Sequence, residues 1–560
     1  MKKTGELGAF VFSLLLWSCG GDSSPTASIS TPTPVATSIT VSPATFSLRR
    51  HAHEAQAGTS LRLYSLGATT QLTAKVEDQK GARMFLAVVN WTTSDAAVVS
   101  VSSNGLVTSV ADGTATITAT SGPLSATASV TVEQMAALQL LTEYGNVTEN
   151  DVITEGIFAV WWDKTFDMRT HAEAAMADLQ AIRDVSLNEF GLRDPPNPGL
   201  GSYYNVYIHQ PGPGNDNYPA SWGAGQSTDG FGRPFLTLPG DLAYNLYGDP
   251  NRFFVDPLLL YHEGFHVFQY SANSPGFAYA GDTGWYVEAS ANWFAATYNA
   301  DLDMAHLEAG SLAAVPFQAL WHSWDNWAVG DRDNWNRLVR QYAMGTYLYY
   351  LTSVEGVATD LIVDGFYART NQSPQEYLYR RVDGLRGYFA NFAAHTLTEI
   401  DYVSRAQYER SMFELYDPAI GDRTDIHRFV ADLTGTGTAG DWFEPPAAQT
   451  PRGWSFNAIR IQDLQAGEYT IEFDGDDAGS EGAAAYFVAR AVIRATSGDT
   501  FQTLALTAGA HRRPGRAGTW TLDVSATDES VYLMFAAVPE HFTGNQTYAY
   551  RLRVSPPATP

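Results

Sequence analysis

The chain has 560 residues, 45% hydrophobic and 17% charged, which are the proportions of folded protein and exclude a mostly disordered or collagen-like polymer. At about 150 residues per domain, that length accommodates about three to four domains. The 34 basic and 60 acidic side chains leave a net charge of −26, which repels nucleic-acid phosphates, and the single cysteine permits no intrachain disulfide or thiolate cluster, so any metal site must use His and carboxylate.

At the N-terminus, Lys2 and Lys3 precede an apolar stretch from Leu7 to Trp17. It is too short to cross a bilayer, which needs roughly 20 residues, and it reads as a signal peptide over 1–18. The stretch closes on Leu16, Trp17, Ser18 and Cys19, which resembles the bacterial lipobox. The resemblance implies cleavage before Cys19 and a diacylglycerol on its sulfur, so the chain would meet a membrane through lipid. Residues 19–35 are rich in Gly, Ser, Thr and Pro and suit a flexible linker. Gly20 stands where lipoproteins retained in the inner membrane resemble one another in carrying aspartate. The expected address is therefore the outer membrane or surface of a bacterium.

Residues 36–134 read as short alternating strands with Gly, Asp and Asn punctuation: Ser38–Val41, Thr70–Val76, Val88–Thr93, Val98–Val101, Leu106–Val110, Thr114–Thr120 and Ala126–Val132. Seven strands at this spacing predict an all-β sandwich. The phrases SITVSPA, TTQLTAKV, VNWTTSD and VVSVSSNGLVTSVADGTATITATSG resemble the bacterial Ig-like group 2 domain. An insertion between Arg49 and Leu63 departs from that pattern and has no predictable structure.

The composition then changes, and residues 135–445 show helical periods, many Tyr and Trp, and long apolar runs. A strand at Ile157–Trp162 precedes a helix whose Ala175, Leu179, Ile182, Val185 and Phe190 share a face until Gly191 ends it. Strands at Tyr204–His209 and Phe235–Leu238 flank a Gly-rich loop over Gly223–Gly232. The first of these is either an interior strand or a sheet edge able to pair with an extended peptide. From Asn299 to about Leu433 the segment is mostly helical. Residues 453–556 return to alternating strands and predict a C-terminal β-sandwich.

The informative run is Leu258-Leu259-Leu260-Tyr261-His262-Glu263-Gly264-Phe265-His266, preceded by Asp256 and Pro257, an N-cap and an N1 proline that start a helix. Residues four apart share a helix face, so His262 and His266 can grip one Zn²⁺. Glu263 then sits beside the open coordination position, where a carboxylate can take the proton of a water. A catalytic zinc needs a third protein ligand. Gln269 and Ala272 occupy the positions at which metzincins carry the Gly and third His of their longer motif, which excludes that branch. Glu288 lies 22 residues beyond His266 in a near-apolar run, Gly284 to Trp293, which predicts a second helix opened by Asp282 or Thr283. An acid in such a run is rarely left unpaired, and a zinc ion would satisfy it.

The element order and the HExxH-plus-Glu pattern resemble the gluzincin branch of the zincin peptidases. The resemblance implies an α+β catalytic domain with a mostly helical second half, and amide or ester hydrolysis of a peptide or protein substrate. It also implies that Asn292, one turn after Glu288, orients a ligand imidazole. An oxyanion donor would come from the downstream helical half, where Tyr342, Tyr347 and His322 are the candidates. Trp321, Trp324 and Trp327 recur every three residues and either stack on sugars or fill a core. Asp474, Asp476, Asp477 and Glu481 have oxygens enough for Ca²⁺ but lack the EF-hand order, and read better as a solvated turn. The competing reading of the whole is a surface adhesin or glycan-binding protein carrying a catalytically inactive zincin domain.

Overall fold

The computed structural model describes residues 35–43, 59–63, 69–78, 84, 87–132, 138–209, 216–219, 221–240, 257–272, 274–298, 316–322, 340–398, 429–507 and 516–558. The expected signal peptide, Cys19 and the linker up to residue 34 lie outside them, as do Asp256, Trp324 and Trp327. No helix among the described residues is long and apolar enough to cross a membrane.

Strict alternation folds the first region into two facing four-stranded sheets. Strands β1 (Ala36–Pro43), β3 (Thr69–Asp78), β6 (Leu106–Ser109) and β5 (Val99–Val101) form one. The other is β2 (Thr59–Leu63), β8 (Leu124–Val132), β7 (Gly113–Ser121) and β4 (Asn90–Thr93). In β7, Ala115, Ile117 and Ala119 are buried while the threonines between them are not. β2 corrects the sequence reading. It lies in the insertion taken as unpredictable and pairs parallel to β8, so the described sandwich has one strand more than expected.

The central region is built on a five-stranded sheet. β9 (Asn150–Glu155), β10 (Phe158–Asp163), β11 (Tyr204–His209), β12 (Gly225–Thr228) and β13 (Pro234–Pro239) stand in the order β12-β13-β11-β10-β9. β10, β11 and β13 run parallel, with antiparallel β9 and β12 at the edges. β11 is therefore interior, which removes it as the edge for an incoming peptide. That edge belongs to β12, inside the stretch read as a Gly-rich loop. β10 and β11 are buried along their whole length because both sheet faces are covered. Phe158, Val160, Val206 and Leu236 face the helices, while Trp161, Tyr207 and Phe235 face an aromatic layer with Tyr144 and Trp222.

Two long helices, α1 (Arg169–Asn188) and α2 (Pro257–Gln269), cover the inner face, and a third, α3 (Gly284–Tyr298), packs on α2. α1 and α2 approach so closely that a Cβ at Gly264 would lie 2.7 Å from Ile182 Cδ1. α4 (Arg340–Ala343), α5 (Gly345–Ser353), α6 (Thr359–Val363), α7 (Pro374–Arg381) and α8 (Leu385–Thr398) form the helical half. α7 starts where Ser373 accepts a hydrogen bond from the Glu376 amide ahead of Pro374.

The C-terminal region is a sandwich of two sheets. β14 (Ala431–Leu433), β15 (Ser455–Ile461), β20 (Asp528–Ala537), β17 (Phe487–Ala495) and β18 (Gly498–Leu504) form one, in the order β14-β15-β20-β17-β18. β19 (Ala517–Val524), β16 (Gly467–Gly475) and β21 (Tyr550–Ser555) form the other. β14 falls in residues expected to be helical and pairs parallel to β15. Three residues are too few to show a period of their own. Alternate residues of β20 enter different cores: Val531, Leu533, Phe535 and Ala537 meet the second sheet, while Tyr532, Met534 and Ala536 join the cluster of the helical half.

Candidate metal centre

α2 and α3 bring His262, His266 and Glu288 to one point, as one turn of helix α2 offers both imidazoles to a carboxylate from α3. The Nε2 atoms are 3.1 Å apart, and Glu288 Oε2 is 2.9 Å from His262 Nε2 and 3.3 Å from His266 Nε2. All three side chains are buried, at 3–6% exposure. They are the described His, Cys, Asp and Glu side chains that gather closely enough to hold a metal ion.

The groups behind the imidazoles decide which nitrogen faces inward. Asn292 Nδ2 donates to the Tyr342 carbonyl at 3.1 Å, so its Oδ1 accepts from His262 Nδ1–H at 2.6 Å. Gln269 Nε2 donates to Ser290 Oγ at 2.8 Å and to the Val287 carbonyl at 3.3 Å, so its Oε1 accepts from His266 Nδ1–H at 2.6 Å. Both neutral rings then aim an Nε2 lone pair at the Glu288 oxygen. Three electron-rich atoms turned toward one another in a buried place repel unless a cation or proton sits among them.

The donor set fits zinc: a tetrahedron with bonds of about 2.0–2.1 Å has ligand-to-ligand edges of about 3.3–3.4 Å, close to the separations found here. Without a cation, a proton does the same service. Burial alone lowers the His262 pKa, but the Glu288 hydrogen bond and the charges of Glu263 and Glu288 outweigh it and raise it to about 9. Burial alone raises Glu288, and the two imidazoles outweigh that, holding its carboxyl well below the usual range. A dication taking this place would displace the proton.

Glu263 follows His262 on α2 and is buried at 8% exposure. Among the described residues no hydrogen bond ties its carboxylate down. Burial raises the pKa of the Tyr204 phenol, at the start of β11, and the Glu263 charge adds to this while Gln226 of β12 opposes it. The edge strand β12 packs against α2, the helix that carries Glu263.

The three expected oxyanion donors separate. Tyr342 is at the centre, half-buried, with its ring 6.1 Å from that of His262. Tyr347 is not: it is 1% exposed and packs against Phe389 and Phe392, in the core of the helical half. His322 follows Trp321, whose indole donates to the Gly544 carbonyl, so this turn is packed against the C-terminal sandwich. Trp321 itself is 1% exposed and fills a core, which removes it from any sugar-stacking stripe. In the acidic run, Asp474 pairs with Arg551 at 2.8 Å and Asp477 with Arg516, which argues against a calcium site.

Sequence reasoning missed two neighbours. Gln269 was used only to exclude a longer zinc motif, although its position three residues after His266 placed it on the same face. Tyr270, four residues after His266, packs its ring 5.2 Å from that imidazole. Gly345 also matters here. A Cβ there would lie 2.7 Å from Asn292 Cβ and 2.9 Å from the Ala289 carbonyl, so α5 can approach α3 only without a side chain.

Residues 63–132 match the bacterial Ig-like domain (group 2), and that assignment holds for this segment. No curated protein matches the chain. Among solved structures, domains 4 and 5 of the S-layer protein SbsC are 28% identical, covering 18% of this chain and 54% of that one with a TM-score of 0.13. A termite-gut GH10 xylanase containing a bacterial Ig-like domain is 14% identical, covering 67% and 72% with a TM-score of 0.12. A family GH115 4-O-methyl-α-glucuronidase is 9% identical, covering 49% and 40% with a TM-score of 0.14. The chain spans about half the length of the SbsC fragment it matches. Likeness this low carries no argument about the fold of the whole. The molecule is a multidomain protein rich in β-sheet, with an Ig-like domain and a helical region.

Proposed function

We propose that the chain is a zinc metallopeptidase of the gluzincin type, held outside the cytoplasm by lipid on Cys19, at the outer membrane or cell surface. The observation that carries this is the meeting of His262 Nε2, His266 Nε2 and Glu288 Oε2 within 4.8 Å of one another, next in sequence to the Glu263 carboxylate, which no hydrogen bond among the described residues ties down. Zinc held there would supply a Lewis acid that lowers the pKa of water to about 7 and polarises a carbonyl.

The chain's own groups do the rest. Asn292 and Gln269 hold both imidazoles in the tautomer that faces inward. Glu263 accepts a proton from the attacking water on its carboxylate and returns it to the leaving amine. The Tyr342 phenol is the best placed of the expected donors to meet negative charge growing on the carbonyl oxygen. An extended substrate peptide adds to the side of β12 that pairs with no described strand, where main-chain hydrogen bonds recognise any sequence.

The test is metal analysis combined with cleavage of a mixed peptide library. Wild type should carry one zinc per chain and cleave. Glu263→Gln should keep the zinc and lose about 10²–10⁴ in rate. Zinc without cleavage by wild type would favour the adhesin or glycan-binding reading. Absence of zinc after gentle purification would defeat the proposal.

A further inference from the structure

The first turn of α3 is tied to the C-terminal sandwich by a chain of buried and part-buried hydrogen bonds. Gln375, on α7 and 2% exposed, is the hub. Its Oε1 accepts from Trp285 Nε1 at 3.0 Å, and its Nε2 donates to the Asp282 carbonyl at 3.0 Å and to the Phe542 carbonyl at 2.7 Å. Asp282 Oδ2 accepts from the Gly544 amide at 2.8 Å. Trp321 Nε1 donates to the Gly544 carbonyl at 2.8 Å, and Arg386 Nε to the Val538 carbonyl at 2.9 Å. Segment 538–544, which follows β20 and has no regular structure, is gripped by side chains of the helical half at both ends.

α3 meets the metal centre three times: through Glu288 itself, through Ser290 bound to Gln269, and through Asn292 bound to His262. A helix moves as a rigid rod over so few residues. Trp285 lies one turn before Glu288, so a displacement or rotation at Trp285 is passed to all three contacts. Zinc tolerates little change in ligand position, and removing groups that orient its ligands costs about 10–100-fold in affinity.

We propose that Gln375 and Asp282 are positioning residues for the metal centre, and that segment 538–544 of the C-terminal sandwich sets where Glu288 stands. The proposal rests on the zinc reading above. It makes the sandwich part of the site, although none of its described residues reaches the metal ligands.

Gln375→Ala, Asp282→Ala and Asp282→Asn in the full chain test this, by zinc affinity and by the visible spectrum of the cobalt(II)-substituted protein. Gln375→Ala should weaken zinc binding by about 10–100-fold and shift the cobalt bands. Asp282→Ala should do the same to a smaller degree, and Asp282→Asn, which keeps an acceptor for the Gly544 amide, should restore wild-type affinity and spectrum. If Gln375→Ala does not fold, the Asp282 pair decides the matter alone. Folded variants with wild-type affinity and spectrum would overturn the proposal, as would an Asp282→Asn variant no better than Asp282→Ala. Wild type that binds neither metal would instead sink the zinc reading itself.

Discussion

The two β-sandwiches of this molecule stand in different relations to what lies beside them, and strand burial shows it. In the Ig-like domain, β7 alternates buried and half-exposed residues, because one face of its sheet meets a core and the other meets water. Its core is a separate cluster around Leu72, Val99, Val107, Ile117 and Val130. In the C-terminal sandwich, β20 is buried at every position from Ser530 to Ala537, because its second face is covered by the helical half. A strand covered on both faces loses its alternation and becomes a continuous apolar run. The difference between TATITAT and VYLMFAA is thus the difference between a module with a core of its own, which touches the central region where β2 meets α1, and one whose core is shared with its neighbour.

The sharpest way to break this comparison is to remove each sandwich in turn. A chain beginning at residue 138 should fold and bind zinc within about twofold of the full protein, since no described contact of the Ig-like domain reaches the metal centre. A chain ending at residue 428 should bind none, because it bares Phe389 and the other residues that pack on Trp454, Met534 and Tyr532 and frees the first turn of α3. Metal analysis of both truncations checks this. Equal zinc content would show that the sandwiches are alike after all.

Single core substitutions probe the same difference on a smaller scale. Met534→Ala and Ile117→Ala each remove a fully buried side chain, at a cost of about 2–5 kcal/mol. In calorimetry, Ile117→Ala should lower a transition that zinc does not move. Met534→Ala should lower the transition that zinc raises, because its side chain belongs to the cluster that also holds α2 and α3. A third, independent transition moved by Met534→Ala would mean that the sandwich unfolds by itself.

The local geometry of the candidate site was legible in the sequence for physical reasons. Helical period alone puts His262 beside His266, and an acid in the apolar run from Gly284 to Trp293 needs a partner, which marked Glu288. What could not be read depends on tertiary approach. Tyr342 and Tyr347 are five residues apart in one aromatic stretch, but Met344 separates α4 from α5 and sends the first toward His262 and the second into the core. β12 carries Gly-Gln-Ser-Thr, a sequence without alternation, and is a strand only because β13 offers it an edge. β2 exists by the same borrowing from β8.

The helical half also carries a pH dependence of its own, and it is the smallest of these effects. Glu189, just beyond α1, sits under Tyr298 at the end of α3, whose hydroxyl donates to it at 2.7 Å. Burial raises its carboxyl pKa to about 7, the Tyr298 hydrogen bond opposes this, and Asp360 adds to it. The folded state therefore holds a proton that the unfolded chain releases near pH 4.5. The stability this confers is complete below about pH 4.5 and falls away as pH rises through 7, a change on the order of 3 kcal/mol in all. Glu189→Gln removes this one titration, so the transition that zinc raises should decline less between pH 5 and 7.5 in the variant than in wild type. Parallel curves for the two proteins would show that Glu189 is charged in the folded state and that α1 and α3 are held together without its proton.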